Sequence, residues 1–140
     1  MDVHTWIAND LQSVRSKLSD SVLSVVPMQR WVEQVDDGGS SIAHVLLHIA
    51  RHHDLAVTTA IRNRPPLFAA HRAALGLDGA ASSAALPERE DPALSHAVHL
   101  EPLLGYLDAV FDATESWFDD IGSMALDTIP DTTRRLARKA

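Results

Sequence analysis

The chain has 140 residues, 46% of them hydrophobic and 22% charged, the balance of one globular domain rather than of a disordered segment. Acids outnumber Lys and Arg by 19 to 12, and residues 132–140 hold four of the bases and no acid, so the rest stands at 8 bases against 19 acids, or −11. So acidic a body repels phosphate backbones and argues against nucleic acid as a partner, while the absence of cysteine excludes disulfides, thiolate-held metals and a cysteine nucleophile.

The opening MDVHTWIANDLQ carries early acids in place of a basic-then-apolar leader, so no signal peptide is expected. No apolar run approaches the roughly 18–20 residues that span a bilayer. A cytoplasmic protein without membrane contact is the expectation. Asp2 is placed to cap a first helix reaching about residue 25, with Ile7, Leu11, Val14, Leu18, Val22 and Val25 as one apolar stripe. Pro27 ends or bends it. Residues 28–37, with Trp31, read as a turn or short helix folded back on the bundle, and Gly38 and Gly39 break the chain.

Ser40 or Ser41 then caps a second helix over residues 42–62, with Ile42, Val45, Leu46, Ile49, Ala56 and Ala60 as its stripe, stopped by Pro65 and Pro66. A short helix is predicted over residues 67–75, followed by an irregular crossover to residue 98. That crossover is long enough to travel a bundle's length, so the second and third long helices can run parallel. The third long helix is the clearest element. Leu100, Leu103, Leu104, Leu107, Val110, Phe111, Thr114, Trp117, Phe118 and Ile121 form a heptad-like stripe, with Pro102 in its first turn and Gly122 as terminator. Its carboxylates, Glu101, Asp108, Asp112, Glu115, Asp119 and Asp120, read as a solvated face. Trp6, Trp31 and Trp117 read as core or interface packing. After Pro130, Asp131 can cap a last segment, TTRRLARKA, of about nine residues, too short to be stable alone. The reading is a single all-α domain over residues 1–140 with three amphipathic helices. The fourth side of its core falls to the crossover and last segment, to a second subunit in a homodimer, or to residues beyond the C-terminus.

Chemistry concentrates on the second helix, in IAHVLLHIARHHDLA. At about 100° per residue, steps of four place His44, His48 and His52 in a drifting column on one flank of the stripe, whereas His53 falls near its centre. Neutral imidazole is the commonest metal ligand, and two at i and i+4 can share one ion. The alternative reading has these histidines solvated or capped, with His53 a core histidine bonded to a carbonyl or carboxylate. His96 and His99, an i, i+3 pair before the third helix, and His71 and His4 read as structural or solvated. The zincin Glu is missing: Val45 and Ile49 stand where it would be. A nucleophile elbow, Gly-rich phosphate loops and a Glu-x-x-His di-iron motif are absent as well.

The run SSIAHVLLHIARHHDLAVTTAIRNRPPL resembles the second-helix signature of the DinB-like superfamily, which includes the mycothiol-dependent maleylpyruvate isomerase group. LEPLLGYLDAVFDATESWF is similar to that group's third helix, mostly in apolar spacing. The resemblance implies an up-down-down-up four-helix bundle with a long crossover between helices two and three. It implies a divalent metal, zinc or nickel, with the family's second-helix ligand falling on His48 and with His44 and His52 as alternates or supports. The family's fourth-helix His-x-x-x-His or Glu-x-x-x-His pair has no counterpart, since no histidine follows His99; the expectation is that the fourth helix is incomplete here. The implied function is a metal-dependent transferase or isomerase using an external low-molecular-weight thiol such as mycothiol, or a hydrolase, on a small-molecule substrate not named by the resemblance. Its alternative is a non-catalytic helical module that binds or oligomerises.

Overall fold

The computed structural model describes residues 2–34, 39–77 and 96–121, which form an all-helical array; an isolated antiparallel bridge, Gln34 to Ser41, is the one extended pairing among them. Helix α1 (Val3–Leu18) starts where the Asp2 carboxylate accepts the Thr5 N–H at 2.8 Å. It runs on through a π turn, Ser19–Leu23, closed by Ser24 N–H on the Ser19 carbonyl at 2.9 Å. Pro27 then starts a 3-10 turn, Met28–Arg30, which sets Trp31 into the core with its indole N–H donated to Val26 O at 2.9 Å.

Helix α2 (Ile42–His53) is capped by Ser41, whose Oγ accepts the His44 N–H at 3.1 Å. It too widens into a π segment, Asp54–Ile61, closed by Arg62 N–H on Val57 O at 2.9 Å. Helix α3 (Phe68–Leu75) ends at Gly76, whose φ of 76° is left-handed backbone that glycine adopts freely. Helix α4 (Leu100–Ile121) is the spine against which the other three helices pack.

Named contacts give the helix directions. Along α1 and α4, His4 meets Phe118, Arg15 meets Asp112 and Asp108, and Leu18 and Leu23 share a crevice with Leu104, so these helices are antiparallel. Between the α2 rod and α4 the contacts advance together, from Asp54 on Tyr106 and His53 on Phe111 to Arg62 over Trp117, so these two run the same way. The core between them holds Leu46, Leu47, Ala50, Leu103, Leu107 and Val110. Each large aliphatic side chain there contributes roughly 1.5–3 kcal/mol by leaving water.

The helix boundaries agree with the sequence reading within a residue or two, but the inward face of α2 does not. Val45 is 43% exposed and Ala56 and Ala60 are exposed, whereas Ala43, Leu46, Leu47, Ala50, Arg51, Asp54 and Thr58 point inward. Two of the inward positions, Arg51 and Asp54, are polar and are held by Phe68, Tyr106 and two backbone amides, contacts that a hydropathy stripe does not register. The stripe of α4 is as expected, with Tyr106 added to it. Val14 of α1 and Val25 beyond the π turn are exposed, and no residue of α1 is fully buried. Trp31 is core and Trp117 is half-buried, while Trp6 is 62% exposed. Gly122, the segment after Pro130 and most of the crossover lie outside the described residues. No helix among the described residues is long and apolar enough to cross a membrane.

Candidate functional site

The four-residue spacing on α2 does build a column. The ring centroids of His44 and His48 are 5.6 Å apart, and those of His48 and His52 are 4.1 Å apart. Because each step of four drifts about 40° around the helix, the column grades from buried His44 through half-buried His48 to exposed His52. The Nδ1 atom of His48 is itself buried. His53 stands on the other flank. Its Nε2 is 2.7 Å from Thr114 Oγ1 and its ring packs on Phe111 at 5.0 Å, so it ties α2 to α4. Burial lowers the pKa of His53 below its ordinary value, and the Asp54 carboxylate only partly offsets this. The imidazole is therefore neutral at pH 7. The partner is a hydroxyl rather than the carbonyl or carboxylate expected.

The remaining histidines are structural. His4 Nε2 lies 2.6 Å from Phe118 O, with its ring stacked on Phe118 at 4.4 Å. His71 meets Tyr106 edge to face at 5.2 Å. His99, at the start of α4, bonds Ala74 O through Nδ1 at 3.1 Å, while its backbone N–H reaches Leu75 O at 3.0 Å. Together these bonds fasten the end of α3. His96 is exposed.

A second polar group went unread in the sequence. Asp54, with no exposed surface, accepts Leu67 N–H at 3.0 Å, Phe68 N–H at 2.9 Å and Tyr106 O–H at 2.6 Å. Its carboxylate thus caps α3 from a distance, where the dipole favours a negative charge. Arg51, one turn earlier and also buried, lays its guanidinium 3.8 Å from the centre of the Phe68 ring. Burial and the hydrogen bond to Asp54 raise the Tyr106 pKa far above its ordinary value, with Arg51 opposing, so the phenol keeps its proton. The geometry of this cluster is that of a clasp joining α2, α3 and α4.

A divalent ion bound by imidazole lies roughly 2.0–2.1 Å from each nitrogen, so two ligating nitrogens stand a little over 3 Å apart. Imidazoles that share an ion in this way hold their ring centroids roughly 4.5–5 Å apart, and the spacings of His44 to His48 and His48 to His52, 5.6 and 4.1 Å, lie on either side of that value. His44 sits farther back. Among the described residues, no three His, Cys, Asp or Glu side chains converge to hold one ion together. An ion held by imidazoles of this column would therefore take its other ligands from water or an external molecule. Comparison of the chain with protein-family models, with curated proteins and with solved structures found no match.

Proposed function

We propose that this chain is a DinB-like helical-bundle protein that holds a divalent ion, zinc or nickel, at His48 and His52, with His44 as their support. On this reading it works in the cytoplasm on a small-molecule substrate, as a thiol-dependent transferase or isomerase or as a hydrolase. The observation that carries the proposal is the column of three imidazoles, His44, His48 and His52, on consecutive turns of one helix, with ring spacings of 5.6 and 4.1 Å. When bound, the ion would lower the pKa of a coordinated water or of an external thiol such as mycothiol, giving a nucleophile at neutral pH. The thiol has to come from outside, because the chain holds no cysteine. In this scheme half-buried His48 fixes the inner edge of the site and exposed His52 leaves its outer edge open to solvent and ligand. His53 takes no part in it, being committed to Thr114.

Isothermal titration of the full chain with zinc and with nickel tests the proposal. The expected result is one bound ion per chain, lost in His48→Ala and weakened at least about tenfold in His52→Ala, with unchanged helicity in both. No heat from either metal in the wild-type chain would end it.

The exposure of Val3, Trp6, Val14 and Val25 favours a second reading, a helical module that pairs with another protein or with its own copy as a homodimer. Sedimentation equilibrium separates the two. A monomer at all concentrations removes the reason for self-pairing, and a dimer indifferent to His48→Ala and to metal supports the non-catalytic reading.

A further inference from the structure

The outer junction of α1 and α4 is a groove that the bundle leaves open. Two crevices lie along it, of about 120 and 180 Å³, the first over Leu11 and Phe118 and the second over Leu18, Leu23, Leu104 and Leu107. Above this apolar floor, Asp108, Asp112, Glu115 and Asp119 rise on successive turns of α4. Arg15 is the base that answers them among the described residues. It reaches Asp108 at 3.3 Å, Asp112 at 2.7 Å and Glu115 at 3.2 Å. Three carboxylates thus share one guanidinium, and Asp119 lies one turn beyond them. The side chains of Asp108 and Asp112 remain 64% and 67% exposed, and Glu115 Oε1 is buried without a hydrogen-bond partner among the described residues. The rim has room for more positive charge, and a desolvated carboxylate oxygen favours receiving it.

An apolar floor with an acidic rim selects a cationic segment that also carries aliphatic side chains. The sequence supplies one in TTRRLARKA, residues 132–140, where Arg134, Arg135, Arg138 and Lys139 flank Leu136 and no acid occurs. These residues lie outside the described ones, so their sequence alone enters the argument. We infer that the basic segment 132–140 is the occupant of the α1–α4 groove, its bases meeting the Asp108–Asp119 rim. Reach permits this. Arg134 follows Ile121 by thirteen residues, a tether of at most roughly 43–47 Å, and Asp108 lies about 20 Å back along the helix. A tether that short gives an effective concentration of the order of millimolar, so the chain's own segment outcompetes that of a second copy at micromolar protein.

The absence of native cysteine makes disulfide trapping in the full chain a clean test. Gln12→Cys with Ala137→Cys places one thiol on the groove wall and the other in the basic segment, leaving all the charges in place. Ala56→Cys with Ala137→Cys is the control, Ala56 being exposed on the π segment after α2. With diamide as oxidant, the groove pair should close into an intramolecular disulfide at least about tenfold faster than the control. About 0.5 M salt, or Asp112→Asn with Asp119→Asn, should remove most of that advantage. Equal rates for the two pairs would overturn the inference. So would an advantage indifferent to salt and to the Asn substitutions, because charge is what assigns the occupant. Disulfide-linked dimers in place of closed monomers would give the groove to a second copy and overturn it as well.

Discussion

At Asp54 a carboxylate without solvent contact is satisfied by two backbone amides and a phenol, and all three donors belong to elements distant from it in sequence. Removing it leaves those three donors buried without their acceptor. Asp54→Ala is therefore expected to cost about 3–5 kcal/mol in urea unfolding. Tyr106→Phe, which deletes one bond and keeps the ring, should cost only about 1–2 kcal/mol. Comparable losses for the two variants would mean that the clasp is not centred on the carboxylate. His53 supplies the pH dependence at this scale. Its folded pKa lies below the unfolded value near 6.5, so the unfolded chain binds more protons in the interval between them. Its stabilising contribution is thus complete above pH 6.5 and is lost as pH falls below it. His53→Gln keeps a polar partner for Thr114 and cannot titrate. The stability of the wild type should fall toward that of the variant between pH 7 and 5, and parallel profiles would refute this account.

At the scale of elements, two glycines that look alike in sequence are expected to respond oppositely. Gly76 closes α3 at a φ of 76°, and an added Cβ would lie 2.9 Å from His99 Nε2. Gly105 sits inside α4 with nothing within 4 Å of the position a Cβ would take. Gly76→Ala should destabilise by about 1–2 kcal/mol, whereas Gly105→Ala should stabilise by roughly 0.5–1 kcal/mol. Thermal melts of the two variants that shift in the same direction would contradict the geometry. The same contrast marks how much the sequence makes legible. Helix boundaries are legible because Asp2, Ser41 and the Pro65–Pro66 pair act locally on their own neighbours. The face of α2 is not, because Arg51 and Asp54 are inward only by virtue of Phe68, Tyr106 and two amides supplied from other helices. The offset is present from Val45 onward, so a stripe started there and carried along the rod assigns Ala56 and Ala60 inward and misses Thr58, the reverse of their burial. The histidine column is read correctly because its four-residue steps are completed before the π segment begins.

Across the whole molecule, burial is unevenly shared, and that decides which part opens first. Helices α2, α3 and α4 interlock through a continuous core and the Asp54 clasp. Helix α1 is held to α4 by the inward sides of Leu11 and Leu18, the His4–Phe118 contact and the Arg15 ion pairs, and it keeps Val3, Trp6 and Val14 in solvent. Arg15 is partly exposed and its ion pairs are screened by salt, so they add on the order of 1 kcal/mol at low ionic strength and less in salt. An isolated helix of sixteen residues is itself marginal in water. Native-state hydrogen exchange should therefore find α1 amides opening at a lower free energy than those of α2 and α4, and more so in high salt. Protection of α1 equal to that of α4 and independent of protein concentration would contradict this. Protection that rises with concentration would show instead that a second copy covers Val3, Trp6 and Val14. The exchange rates would then report an interface, and the non-catalytic reading would gain support independent of the metal titration.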